Sequence, residues 1–62
     1  LIYSEHNYAI SGASSVVLNG ETLAERQRAG AFTVIEILPD SVILRWRETV
    51  FRVRARNSWI NL

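Results

Sequence analysis

The sequence predicts one small, mostly β domain. Short runs rich in aromatic and β-branched residues alternate with turn-forming residues, and no stretch has the length of a stable isolated helix. The 62 residues permit a single domain, and 48% hydrophobic against 21% charged residues is typical of a chain with a packed core. We therefore expect short strands joined by tight turns.

The first third of the chain predicts two strands. The first covers residues 2–10, where alternation sends Glu5 and His6 to opposite faces. Residues 11–14 (Ser-Gly-Ala-Ser) are a flexible turn segment. The second strand covers residues 15–18 and ends at Asn19-Gly20, a strong hairpin-turn signal.

The middle of the chain is compatible with more than one type of secondary structure. Residues 21–28 are compatible with a helix, a brief strand or an irregular loop, because Leu23 alone would anchor a helix there. Residues 32–38 return to the β pattern, but the apolar positions change parity after Val34. This slip indicates either burial on both faces or a β-bulge.

Residues 42–47 and 50–55 predict a hairpin that turns at Glu48-Thr49. This register makes Trp46 and Phe51 core partners across the two strands. The opposite face carries Ile43, Arg45, Arg47, Arg52 and Arg54. It also sets Arg45 directly across from Arg52, an unfavourable pair that calls for an acidic neighbour.

Charge is unevenly distributed along the chain. Residues 1–42 hold five acids and two arginines, for −3, whereas residues 43–62 hold one acid and five arginines, for +4. The resulting net charge of +1 is small for a protein that binds nucleic acid or anionic lipid. In the predicted register the aromatics also lie on the face opposite the arginines, so we expect no nucleic-acid ligand.

No residue constellation in the sequence points to catalysis, a metal or a cofactor. The chain has one histidine and no cysteine, so a catalytic triad or a thiolate metal site has no candidate residues. The carboxylates lie in polar or turn contexts, and no phosphate-binding glycine loop is present. We expect a structural or surface role for His6 and no enzymatic activity.

Four strings taken together resemble the C-terminal periplasmic domain of the B component of the type II (general) secretion pathway. They are residues 4–8 (SEHNY), 15–20 (SVVLNG), 34–44 (VIEILPDSVIL) and 51–53 (FRV), in this order and spacing. The family tends to have Glu-Gly-Asp where this chain has Glu25-Arg26-Gln27, and glycines near Ser41 and near Glu48-Thr49. These departures bear on the turn types more than on the fold.

The resemblance implies an all-β fold, a small sandwich of two short antiparallel sheets similar to the homology region of the pathway's C component. It also implies a single-pass inner-membrane protein whose membrane segment and linker precede this periplasmic domain. The implied partners are the periplasmic domains of the outer-membrane secretin, with other inner-membrane components of the system as further candidates. The role would be scaffolding, which aids the assembly or placement of the secretin.

The predicted domain covers residues 1–55, and residues 56–62 form an extension or tail. For the contact surface we favour the first strand as an edge strand that pairs with a partner's strand. Its residues are Ile2, Tyr3, Ser4, Glu5, His6, Asn7 and Tyr8. The alternative contact surface is the arginine face, with Arg45 and Arg52. The alternative functions are those of a small nucleic-acid-binding β-barrel or of an accessory regulatory domain of an enzyme.

Overall fold

Eight short strands make up the regular structure, and residues 1–56 and 60–61 contain no helix. A computed structural model of the chain describes these two ranges. The strands are β1 (Tyr3–Asn7), β2 (Ser15–Leu18), β3 (Glu21–Leu23), β4 (Arg28–Ala29), β5 (Phe32–Ile37), β6 (Ser41–Trp46), β7 (Thr49–Arg54) and β8 (Ile60–Asn61). The open choice at residues 21–28 is settled as two brief strands, β3 and β4, joined by a turn.

The strands form two four-stranded sheets, which confirms the all-β, two-sheet fold. The first sheet has the order β3-β2-β1-β8 and the second β4-β5-β6-β7. Every pair is antiparallel except β1 with β8, which pair in parallel at two positions. The predicted tail covers residues 56–62. Of these, residues 57–59, which include Trp59, and residue 62 lie outside the described residues.

The Asn19-Gly20 signal produces the expected hairpin between β2 and β3. Leu18 pairs with Glu21, so the loop has two residues, and both have positive φ, 50° for Asn19 and 82° for Gly20. Two consecutive positive φ values are characteristic of a type I′ turn, whose twist matches that of the flanking strands.

The parity slip in β5 is a β-bulge. The register between β5 and β6 shifts between Val34 and Glu36, so that Ile35 falls outside the regular pairing. Val34 and Ile37 are buried on the inner face, whereas Ile35 is 40% exposed. One extra residue therefore returns the strand to its core-facing phase after Val34.

The predicted register of the last hairpin is wrong by two residues. The loop is Arg47-Glu48 rather than Glu48-Thr49, and it closes with Trp46 opposite Thr49. Leu44 consequently pairs with Phe51, and Trp46 and Phe51 are not cross-strand partners. An offset of two keeps every side chain on its predicted face, so the pattern of apolar residues alone does not distinguish the two registers.

The core lies between the inner faces of the two sheets. Its buried members are Tyr3, Val16, Leu18, Leu23, Ala29, Val34, Ile37, Val42 and Leu44. The first strand contributes in an irregular way, because a register shift between Tyr3 and Glu5 lets Tyr3 and His6 both point inward. The simple alternation predicted for this strand does not hold across that shift.

Candidate interaction surfaces

Strand β1 is flanked on one side by β2 and, at two residues, on the other side by β8. His6 pairs with Ile60 and Asn7 with Asn61, so β1 is an inner strand at these positions and not the edge predicted from the sequence. Ser4 and Glu5, which are exposed, lie beyond the two residues covered by β8. Leu1 and Ile2 precede the strand and are also exposed, Ile2 to 68%.

His6 is a buried structural residue that connects the two sheets. Its Nε2 lies 2.7 Å from the carbonyl oxygen of Leu38, in the connection between β5 and β6. Because a carbonyl only accepts, Nε2 carries the proton and donates, which leaves Nδ1 as an acceptor for the hydroxyl of Tyr3. This hydrogen-bonded chain confirms a structural role for His6 and satisfies both ring nitrogens.

The buried hydroxyl of Tyr3 strongly favours its neutral form. Burial, with a further contribution from the negative charge of Asp40, raises the pKa of Tyr3 to about 12 from its usual value of 10.0. Tyr3 therefore remains a donor to His6 at neutral pH. This part of β1 acts as a structural support, and the exposed side chains at the surface are those of its neighbours Ser4 and Glu5.

The segment that follows β1 is held by local hydrogen bonds. The Ser14 hydroxyl accepts from the N–H of Ala9 at 2.9 Å, and the N–H of Gly12 donates to the Ala9 carbonyl at 3.0 Å. Gly12 has φ of 94°, a conformation that glycine adopts without strain. The structure confirms the turn predicted for this segment and adds the hydrogen bonds that hold it.

Arginines populate the outer face of the second sheet, but not in the predicted arrangement. Arg45 pairs with Val50, and Arg52 with Ile43, so the two arginines are not directly opposed. Arg28, Arg45 and Arg47 line a shallow cavity of about 310 Å³. The Arg45 Nε–H donates to the Arg47 carbonyl at 3.0 Å.

An aromatic cluster of Phe32, Trp46 and Phe51 occupies the end of the inner face near the last turn. Trp46 stacks on Phe32 with ring centroids 6.4 Å apart, and Phe51 meets Phe32 edge to face at 6.5 Å. The Arg47 guanidinium lies 4.6 Å from the centre of the Trp46 ring. Trp46 is 38% exposed, so the prediction that it is a core residue is wrong.

Strand β7 is the longest edge strand among the described residues, and sequence reasoning missed it. It pairs with β6 along all six residues and has no strand on its other side within residues 1–56 and 60–61. Its side chains are exposed or only half-buried, with Val50 59% exposed. The sequence did indicate that β7 is the second strand of a hairpin. This position alone does not show whether another strand pairs with its outer side, because the hairpin does not determine the sheet order.

Residues 1–56 and 60–61 provide no group of three or more histidine, cysteine, aspartate or glutamate side chains that would hold a metal ion. No helix with the length and apolarity needed to cross a bilayer occurs in the described part of the chain.

A family model described as type II secretion system protein B matches residues 1–55, which include β1 to β7. This match covers most of the chain. The protein belongs to that family. No curated protein and no solved structure matches the chain. The family match ends before β8, so the strand that flanks β1 at His6 and Asn7 lies outside the matched residues.

Proposed function

We propose that this chain is a non-catalytic interaction domain in the periplasmic part of a single-pass inner-membrane protein, where it binds the periplasmic domains of the outer-membrane secretin. Membership of the type II secretion system protein B family is the observation that carries the proposal. In this role the domain would aid assembly or placement of the secretin across the envelope. Other inner-membrane components of the system are further candidate partners.

The first strand is the proposed contact. It lies within the matched residues, and its exposed residues Ser4 and Glu5 come just before the two residues that pair with β8. Ile2, at 68% exposure, adds an apolar side chain next to this segment. A partner strand could pair with main-chain groups here and be recognised by the outward side chains, as in other cases of strand addition.

The experiment is capture of isolated secretin periplasmic domains by the wild-type domain and by Ser4→Pro, because Ser4 is exposed and lies at the register shift of β1, outside the regular pairs with β2 and β8. Proline removes a backbone donor, so a variant that remains folded but loses capture identifies main-chain pairing. Glu5→Ala is the matched control, which keeps the backbone donor and should weaken capture only slightly. Thermal melting identifies the variants that remain folded.

Two results would contradict the proposal in different ways. If the wild-type domain captures no secretin domain, the assigned partner is wrong. If folded Ser4→Pro binds normally while Arg45→Glu with Arg52→Glu abolishes binding, the contact is the arginine face instead of β1. Binding to single-stranded nucleic acid at physiological salt would favour the alternative of a small nucleic-acid-binding domain.

A further inference from the structure

We propose that the outer edge of β7 is a second docking edge, which takes an extended segment of a partner protein in which apolar and acidic residues alternate. This edge belongs to the second sheet, whereas β1 belongs to the first. The inference therefore does not depend on the proposed secretin contact and can fail or succeed without it.

The main chain of β7 provides the first part of the argument. In a two-residue hairpin the pair next to the loop, here Trp46 and Thr49, is hydrogen-bonded, and hydrogen-bonded pairs then alternate along the strands. Val50, Arg52 and Arg54 are the intervening positions, so their N–H and C=O groups point away from β6. These three residues offer a regular ladder for another strand.

The side chains of β7 specify what kind of strand would fit. Phe51 and Val53 pack against the core but remain partly exposed, so a strand added beside them would bury more apolar surface. Arg52 and Arg54 are exposed on the opposite face. A partner with apolar residues on one face and carboxylates on the other would complement both faces.

The same arginines disfavour a second copy of this chain as the occupant. Antiparallel pairing of two β7 strands would set Arg52 against Arg52 or Arg54 of the other copy, and like charges opposite one another destabilise a sheet. Charged residues on an edge strand commonly prevent self-association in this way. The occupant best suited to this edge is thus an acidic segment of another protein.

The test uses the 62-residue domain and a short capped synthetic peptide in which glutamate and valine alternate. Two-dimensional NMR should show peptide-induced shifts centred on the amides of Val50, Arg52 and Arg54. A peptide with lysine in place of glutamate should bind at least about tenfold more weakly, because it opposes the arginines. Raising the salt concentration should weaken binding of the glutamate peptide.

Two sets of variants separate backbone pairing from charge attraction. Val50→Pro removes an outward N–H without changing charge and should weaken binding about tenfold, whereas Val50→Ala keeps that N–H and should bind within about twofold of the wild type. Arg52→Glu with Arg54→Glu should reverse the preference, so that the lysine peptide binds better than the glutamate peptide.

The proposal is overturned if the glutamate peptide does not bind at millimolar concentration, or if its shifts centre on Ser4 and Glu5 of β1. Equal binding of the two peptides would also overturn it, since the charge of the peptide would then have no effect on its affinity. Should Val50→Pro fail to fold, the shift pattern of the wild type and the charge-reversal variant still decide the outcome.

Discussion

Three described residues other than glycine have positive φ, and each of them lies in a turn. Asn19 tolerates this conformation, but Arg26 (71°) and Arg47 (57°) adopt it at a cost of about 1–2 kcal/mol. The N–H of Gln27 donates to the Ala24 carbonyl at 3.3 Å, so Arg26 occupies the third position of a β-turn. Positive φ at that position is characteristic of a type II turn, which prefers glycine there.

Arg26→Gly should therefore stabilise the domain by about 0.5–1 kcal/mol, since relief of backbone strain exceeds the entropy that glycine adds to the unfolded chain. Arg26 is also the position at which the family's turn tends to have glycine. Chemical denaturation measures the change in the free energy of unfolding. Arg28→Gly, in strand β4, is the matched control and should destabilise; equal effects of the two changes would show that Arg26 is not strained.

Tyr3 should make the domain sensitive to alkaline pH. Its pKa is raised in the folded state to about 12, against about 10 in the unfolded chain, so the folded state binds the proton more tightly. This contribution is fully present below about pH 10 and is lost as pH rises towards 12, by at most about 1.4 kcal/mol per pH unit. Denaturation series at several pH values between 9 and 12 measure the slope.

Tyr3→Phe should flatten that slope, although it lowers stability at pH 8 because the Nδ1 of buried His6 loses its donor, a cost of about 1–3 kcal/mol. Tyr8→Phe retains the Tyr3 hydroxyl and should keep the alkaline loss. An unchanged slope in Tyr3→Phe would assign the loss to another group.

At the scale of single elements, the sequence predicted what is encoded locally. The Asn19-Gly20 dipeptide predicted a hairpin, and the parity change after Val34 predicted the bulge in β5, because both signals act within a few residues. The last hairpin was misplaced because the two candidate loops present the same faces and differ only in pairing. The order of the strands in the sheets could not be predicted from local sequence patterns either, since it depends on contacts between strands that are distant in sequence, such as β1 and β8.

For the candidate interaction surfaces, too, local features were predicted correctly, whereas features that depend on register or on sheet order were not. Alternation correctly predicted that Arg45 and Arg52 share the outward face of the last hairpin, whereas their direct opposition depended on the wrong register. The burial of Tyr3 with His6 followed from a register shift that alternation cannot anticipate. The open edge of β7 became apparent only with the sheet order.

The bulge in β5 makes opposite predictions for two nearby isoleucines. Ile37→Ala should destabilise by about 2–5 kcal/mol, because Ile37 is 3% exposed and packs in the core. Ile35→Ala should cost less than about 1 kcal/mol, because the bulge leaves Ile35 40% exposed. Thermal melts of the two variants measure the difference. If Ile35→Ala proves the more damaging change, the strand is regular and the bulge is misplaced.

For the whole molecule, the two sheets depend on each other. Among the described residues, buried apolar side chains from both sheets form one shared core, and a domain of this size has little surface to bury. The hydrogen bond from His6 in β1 to the Leu38 carbonyl adds a polar connection across the core. The family match spans both sheets, through residue 55, and therefore contains every described strand except β8.

We therefore expect the two sheets to unfold as one cooperative unit. Val16 in the first sheet and Leu44 in the second are both fully buried, and native-state hydrogen exchange of their amides should give the same free energy of opening. His6→Leu removes the connection and leaves the Tyr3 hydroxyl and the Leu38 carbonyl without this partner, at a cost of about 1–3 kcal/mol. Because the loss is global, it should lower both values equally. A lower opening free energy for Val16 alone would show that the first sheet unfolds separately, and that the core and the His6 bond do not couple the two sheets.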